Sequence, residues 1–171
     1  MDFSVSNNIL TQAAKAYHNF ERCQIPFAAV KLNICLQNTG KKQIDEIVED
    51  NFRNEKDLIF KKDKDYIILM KTTTIEAAER AVSRLKAKLG HMTGNRGNSN
   101  DNSHIHASAT IFGSSRESKR IAVKYLDLRP DLNTCERKNP GMKLGYVEYV
   151  KWFESSKPGS PKINQMVNVL V

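Results

Sequence analysis

The chain has 171 residues, of which 40% are hydrophobic and 27% charged, as is typical of a globular protein with one main domain. No apolar run could span a bilayer, and the first residues lack the pattern of a secretory signal, so we expect a cytoplasmic protein without a membrane partner. The net charge of +8 suits an anionic partner. Because the lysines are spread along the chain, however, we favour a solvated basic surface.

Metal, redox and nucleic-acid chemistry have little support in the sequence. The three cysteines show no metal-like spacing, so we interpret them as free thiols. His104 and His106 share one face of a predicted strand and could hold a metal, but polar surface is the preferred interpretation. An RNP-like aromatic strand and zinc spacing are both missing, which argues against nucleic-acid binding. We therefore expect no metal and no cofactor.

The first half of the chain predicts alternating helices and strands. Apolar residues at spacings of three and four predict helices over residues 6–23 and 42–52. Between them, strict alternation predicts a strand over Phe27–Leu36, with Lys31, Asn33 and Cys35 on the less apolar face. Residues 57–70 then form two short apolar runs around a charged centre, which predicts a β-hairpin.

Two capping boxes organise the next part of the chain. Thr73-x-x-Glu76 predicts a helix that ends at Gly90, and after a polar loop residues 104–112 alternate like a strand. Ser114-x-x-Glu117 predicts a further helix that runs to about Leu128.

The last part of the chain is rich in proline, and we treat residues 134–171 as an extension of a domain formed by residues 1–133. Residues 142–153 alternate only in part, so we prefer a strand over a helix there, and residues 166–171 predict a second short strand or a docked tail. The extension either packs on the core or docks a partner, because aromatic residues suit both roles. Its aromatic residues are Tyr146, Tyr149, Trp152 and Phe153.

Taken in order, the elements read as a helix, then β-α-β-β-α-β, then a helix and the extension. This order predicts an α/β (α+β) fold with a ferredoxin-like core, in which an antiparallel sheet carries both helices on one face. Because that core occurs with many activities, the order by itself does not indicate a function.

Three stretches resemble the diguanylate cyclase (GGDEF) family in a degenerate form. They are Ile25-Pro-Phe-Ala-Ala-Val, the hairpin at 57–70, and the Thr-rich turn and helix at 72–85. The resemblance covers roughly residues 8–133 and implies a core of the nucleotide-cyclase type in a bacterial signalling protein.

The signature of that family is changed at its centre. Active members carry Gly-Gly-Asp/Glu-Glu-Phe at the hairpin turn, where the acids bind divalent metal ions. The corresponding residues here are Lys62, Asp63, Lys64, Asp65 and Tyr66. Both glycines and the first acid are replaced, and Asn33 stands where the family has a metal-binding aspartate in the first strand. The resemblance therefore implies no catalytic residue and no metal site.

An inhibitory site that binds cyclic di-GMP in the family is also incomplete. Its Arg-x-x-Asp pattern would place the arginine at Arg53, but Asp57 comes one residue late. We therefore interpret Arg53 as a cation at the end of a helix. Together with Lys61, Lys62 and Lys64 it remains the candidate set for binding an anion or a nucleotide.

The sequence thus predicts a catalytically inactive GGDEF-like module that regulates or binds a signalling protein, with a homodimer as a further option. The alternative is a non-catalytic receptor that binds a nucleotide or cyclic di-GMP through its basic surface. For a third class, an enzyme with a rebuilt site, no residue set is convincing.

Overall fold

The computed structural model describes residues 3–36, 40–52, 56–94, 105–128, 149–153 and 162–170. Its helices are α1 (Phe3–Cys23), α2 (Lys41–Asn51), α3 (Ile75–Gly94) and α4 (Lys162–Leu170). Its strands are β1 (Phe27–Leu36), β2 (Asp57–Lys62), β3 (Asp65–Lys71), β4 (Ile105–Ser114), β5 (Ile121–Asp127) and β6 (Tyr149–Phe153). None of these four helices has both the length and the apolar character needed to cross a membrane.

The strands form one six-stranded sheet in the order β2-β3-β1-β4-β5-β6, and every neighbouring pair is antiparallel. β1 lies at the centre: Asn33 is opposite Asp65 of β3 on one side and Ser108 of β4 on the other. The predicted mixture of helices with an antiparallel sheet is confirmed. So are the predicted strand β1 and the predicted hairpin β2–β3.

One face of the sheet is covered by α2 and α3. Every second residue of β1, namely Val30, Leu32 and Ile34, belongs to a buried cluster on this face. The cluster also contains Ile44 and Val48 of α2 and Val82, Leu85 and Leu89 of α3. These helical residues recur at spacings of three and four, so each helix buries one stripe. A buried amide links the two helices, because Asn51 Nδ2–H donates to the Ala81 carbonyl at 2.9 Å.

The opposite face is covered by α1 and α4. Phe27 and Ala29 of β1 form a second buried cluster with Tyr17 of α1 and with Met166 and Leu170 of α4. The rings of Tyr17 and Phe27 meet edge to face at 6.1 Å. Of the two alternatives predicted for residues 166–171, the docked tail is right. The strand is wrong, because Met166 and Leu170 lie one helical turn apart and are buried together.

The helix predicted after Ser114 is wrong, because residues 121–127 form the strand β5, antiparallel to β4. Ile121 and Val123 belong to the α1/α4 cluster, while Ala122 and Leu126 belong to the α2/α3 cluster. The first three residues of β5 are all buried, so apolar and polar residues do not alternate there. Without that alternation, the spacing of the apolar residues also fits one side of a helix.

The bounds predicted for α3 also need correction. Its cap is Thr74, one residue later than predicted: Thr74 Oγ1 accepts a hydrogen bond from the Ala77 N–H at 3.4 Å. Glu76 instead contacts the turn after β4, accepting from the Ser115 hydroxyl at 2.5 Å and from the Arg116 N–H at 3.2 Å. The helix continues through Gly90 to Gly94, so Gly90 is not its C-cap.

The strand β6 of the C-terminal extension joins the same sheet. β6 pairs with β5, with Tyr149 opposite Tyr125 and Phe153 opposite Ile121. The preference for a strand here is confirmed for Tyr149–Phe153. The rest of the predicted strand, residues 142–148, lies outside the described residues.

Gly113→Ala should destabilise the protein by about 1–3 kcal/mol, because an added methyl group would overpack the sheet. A Cβ at Gly113 would lie 2.8 Å from the Phe27 carbonyl oxygen and 3.0 Å from the Ala28 Cα, and backbone atoms cannot turn aside. Urea unfolding measures the change.

Gly40→Ala is the matched control, since nothing lies within 4 Å of a Cβ at Gly40. Gly40 is the N-cap of α2 with φ −64°. Alanine is a poorer N-cap residue than glycine, which destabilises the protein. Alanine also lowers the conformational entropy of the unfolded chain, which stabilises the folded state. Because the two effects oppose each other, we expect the free energy of unfolding to change by no more than about 1 kcal/mol. Equal effects of the two substitutions would contradict the proposed steric cause.

Glu76→Gln should flatten the loss of stability at acidic pH. Burial acts to raise the pKa of Glu76, but hydrogen bonds from Ser115, from backbone N–H groups and from Thr74 outweigh it, so the pKa lies below the usual 4.5. A carboxylate with a lowered folded-state pKa stabilises the protein above the unfolded-state pKa. That stability is lost as the pH falls through the folded-state pKa. Urea unfolding from neutral pH downward measures it, with the exposed Glu46→Gln as control.

Candidate functional site

The turn of the β2–β3 hairpin lies at the surface. β2 and β3 are joined by the two residues Asp63 and Lys64, with Lys62 opposite Asp65. Asp63 has φ 53°, a left-handed conformation that Asp tolerates better than most residues. Lys62, Asp63 and Lys64 are exposed. The turn is therefore a charged tip that keeps its hairpin shape without the two glycines of the family signature.

Asn33 and Asp65 meet where the hairpin joins β1. They are directly opposite in the β1–β3 register, and Asn33 Nδ2–H donates to Asp65 Oδ1 at 2.7 Å. The Ile34 N–H donates to the Lys64 carbonyl at 3.1 Å, which also fixes the backbone of the turn against β1. The resemblance expects metal-binding acids at the positions of Asn33 and Asp65. Here an amide and a carboxylate bind each other.

Nothing around this pair completes a metal site among the described residues. Lys64, next to Asp65 in the chain, adds a positive charge at the turn. Within the described part of the chain, no three His, Cys, Asp or Glu side chains are arranged to hold a metal ion. Hard divalent cations need several oxygen ligands. Asn33 supplies one oxygen, and one oxygen of Asp65 already accepts a hydrogen bond.

A second polar cluster attaches the hairpin to α2. The Tyr66 hydroxyl donates to Asp45 Oδ1 at 2.7 Å. Lys61 Nζ forms an ion pair with Glu49 and lies 3.7 Å from Asp45 Oδ2. Tyr66 is 2% exposed and packs in the α2/α3 core. The cluster therefore fixes the hairpin on the helix, and its two carboxylates compete with any anionic ligand for Lys61.

The pKa values of this cluster reflect its ion pairs and its burial. Burial, and then the Asp45 carboxylate that accepts its hydrogen bond, raise the pKa of Tyr66 well above the ordinary value. The hydrogen bond to Glu49 raises the pKa of Lys61, although burial acts in the opposite direction. Tyr66 therefore stays neutral and Lys61 stays charged at neutral pH, which keeps the cluster intact.

Several residues from the sequence analysis lie outside the described residues: Arg53, His104 and Tyr146. The other three aromatic candidates, Tyr149, Trp152 and Phe153, belong to β6, for which the backbone pairing is described. Trp152 is opposite Ala122 of β5. The backbone of this segment is therefore held in the sheet, and its role in binding a partner stays a prediction.

A polar cavity that the sequence does not predict lies on the α1/α4 side of the sheet. It has a volume of about 240 Å³ and is lined by Lys31, Asn33, Ser108, Thr110, Tyr125, Asn168 and Val169. The alternation of β1 already placed Lys31 and Asn33 on one face. Because the sequence predicts a helix around Tyr125, it does not predict that Tyr125 lies on the same sheet. No sequence pattern indicates that α4 packs against the sheet.

Comparison of the chain with protein-family models, curated proteins and solved structures gives no match. The family resemblance of the hairpin therefore stays a prediction. The chemistry of the site is given by the Asn33–Asp65 contact, the exposed lysines of the turn and the polar cavity.

Tyr66→Phe should lower the free energy of unfolding by about 1 kcal/mol, because it removes the hydrogen bond to Asp45 and leaves the packing of the ring unchanged. In an Asp45→Ala background the same substitution should cost almost nothing, since the acceptor is gone. Urea unfolding of the four proteins gives the coupling energy. A full cost in the Asp45→Ala background would show that Tyr66 acts through another contact.

Proposed function

We propose that the chain is a degenerate GGDEF-like module that does not catalyse cyclase chemistry and acts by binding a signalling protein. The proposal combines the resemblance at the hairpin with the contacts of the described residues. It has three parts: a ferredoxin-like core of the nucleotide-cyclase type, a hairpin without a metal site, and a charged tip available to a partner.

The strand order supports the first part. β2-β3-β1-β4 are antiparallel neighbours, and the connecting helices α2 and α3 share one buried cluster on one face. A β-α-β-β-α-β segment with these pairings matches the split arrangement of ferredoxin-like domains. β5, β6, α1 and α4 would then be additions that widen the sheet and cover its second face.

The observation that carries the second part is the 2.7 Å hydrogen bond from Asn33 to Asp65. In a cyclase of this family the two positions would hold acids that share divalent metal ions. They are neighbours here, as the resemblance requires, but the Asn33 amide donates to the carboxylate. A hydrogen-bond donor and a metal ion cannot occupy the same carboxylate lone pair.

Phosphoryl transfer depends on metal ions that bridge the phosphates and neutralise developing charge. Lys64 adds an ammonium group where the first signature acid would stand. It would repel a divalent cation and cannot act as its ligand. We therefore expect no diguanylate cyclase activity from this arrangement.

The charged tip supports the third part. Lys62 and Lys64 are exposed and belong to a turn whose backbone is fixed against β1. A rigid positive tip on a chain of net charge +8 suits an acidic surface of a partner protein. The receptor for a nucleotide or cyclic di-GMP stays the alternative. It would use the same two lysines, while Lys61 is already bound by Glu49 and Asp45.

Restoring acids at the two changed positions should create a site for a divalent cation. We expect no measurable binding of Mn²⁺ to the natural protein by calorimetry. The double variant Asn33→Asp with Lys64→Glu should bind Mn²⁺ at least about tenfold more tightly, because two new carboxylates then join that of Asp65. The control is Asn8→Asp with Lys15→Glu, the same change of charge at exposed positions of α1.

Two further measurements on the natural protein test its function: an assay for cyclic products and a calorimetric titration. GTP with Mg²⁺ should yield no cyclic product, and titration with cyclic di-GMP should show no heat of binding. Formation of a cyclic product would overturn the non-catalytic proposal. Binding of cyclic di-GMP that is lost in Lys62→Gln with Lys64→Gln would replace the protein-binding role by the receptor.

A further inference from the structure

The polar cavity lies where the α1/α4 face of the sheet changes from apolar to polar. Along β1, Phe27 and Ala29 are buried under α1 and α4, whereas Lys31 and Asn33 on the same face line the cavity. Asn168 and Val169 of α4 form part of its wall. The sheet provides the floor and the end of a helix provides one side, so the lining groups are held on regular secondary structure.

The strand register brings the lining side chains into two rows. In the first row Lys31 is opposite Thr110, which is opposite Tyr125. In the second row Asn33 is opposite Ser108. Directly opposite residues of an antiparallel pair have Cβ atoms about 5 Å apart. One ammonium, two hydroxyls, an amide and an aromatic ring therefore border one small space.

The charges around the cavity disfavour a ligand with more than one negative charge. Lys31 is half-buried, and no interaction of its side chain is found among the described residues. Asp65 and Asp127 continue the second row, opposite Asn33 and Ser108. The last turn of α4 adds carbonyl groups with partial negative charge. These groups oppose a doubly charged phosphate but accept hydrogen bonds from hydroxyl groups.

The volume limits the size of the ligand. An apolar cavity of about 150 Å³ holds benzene, so one of 240 Å³ accommodates roughly ten non-hydrogen atoms. A cyclic dinucleotide is several times larger, so this site is distinct from the receptor function considered above. Tyr125 is 42% exposed and offers a ring face against which a short carbon chain can pack.

We propose that this cavity binds a small hydroxylated carboxylic acid of the sugar-acid class. Its carboxylate accepts hydrogen bonds from the Lys31 ammonium, and its hydroxyls bond to Thr110, Ser108 and Asn168. The carbon chain lies against Tyr125. The proposal does not depend on a GGDEF-like role, because it follows from the cavity, the register and the charges alone.

Binding is measured by NMR titration of the full chain with D-ribonate, an acid of the required size. Two matched probes separate the contributions: D-ribose lacks the carboxylate, and acetate lacks the hydroxyls. We expect ribonate to bind with a dissociation constant on the order of 1 mM or tighter and the other two at least about tenfold more weakly. The shifted amide signals should lie in β1, β4, β5 and α4.

Three variants test the assignment of the site. Lys31→Gln should weaken the binding of ribonate at least about tenfold, because it removes a charge-assisted hydrogen bond, and Lys31→Arg should retain most of it. Thr110→Val keeps the shape of the side chain and removes one hydroxyl, so it should weaken binding less. The control is Lys88→Gln, which removes an exposed lysine of α3 on the opposite face of the sheet.

The possible outcomes decide the proposal. Loss of ribonate binding in Lys31→Gln, together with unchanged binding in Lys88→Gln, would support it. Equal binding in both variants, or no binding of ribonate to the natural protein, would reject it. Ribose that binds as tightly as ribonate would reject the assigned class of ligand, since the carboxylate would then contribute nothing.

Discussion

The central strand β1 imposes the constraint on which the rest of the structure depends. It is hydrogen-bonded on both sides, to β3 and to β4, and its first half is buried on both faces. Ala28 and Ala29 keep this part thin, and Gly113 lets β4 approach the Phe27 carbonyl. Ser114 completes the contact, since its hydroxyl accepts from the Phe27 N–H at 3.1 Å. A strand held in this way cannot shift its register without moving both clusters to the wrong faces.

The same strand changes character halfway along, and both proposed sites follow from that change. Its inner residues Leu32 and Ile34 continue to pack under α2 and α3, while Lys31 and Asn33 turn the other face polar. Asn33 contacts the hairpin through Asp65 and lines the cavity as well. The polar residues of the hairpin that contact α2, by contrast, hold the fold together: Tyr66 and Lys61 are tied to carboxylates of that helix.

The parts of the fold that were predictable from the sequence are those in which apolar residues recur at one regular spacing. β1 alternates strictly, and α1 and α2 carry one apolar stripe each, so the elements and their buried faces follow directly. β5 and α4 were not predictable, because Ile121 to Val123 is buried on both faces and α4 is short and mostly apolar. The neighbourhood of Asn33 and Asp65 was indicated by the resemblance. The hydrogen bond between them depends on the register of two strands that are far apart in the chain. The periodicity of the sequence does not predict that register.

The cavity shows why no sequence motif predicts a site of this kind. Lys31, Thr110 and Tyr125 come from three strands and meet only because β4 pairs with β1 and β5 in one register. Each residue alone is an ordinary polar position on a sheet, and Asn168 reaches the group only because Met166 and Leu170 dock α4 on the second cluster. The packing of the apolar side of α4 therefore determines the position of its polar side. A ligand bound there would lie beside Asn33, whose side-chain amide is already held by its hydrogen bond to Asp65.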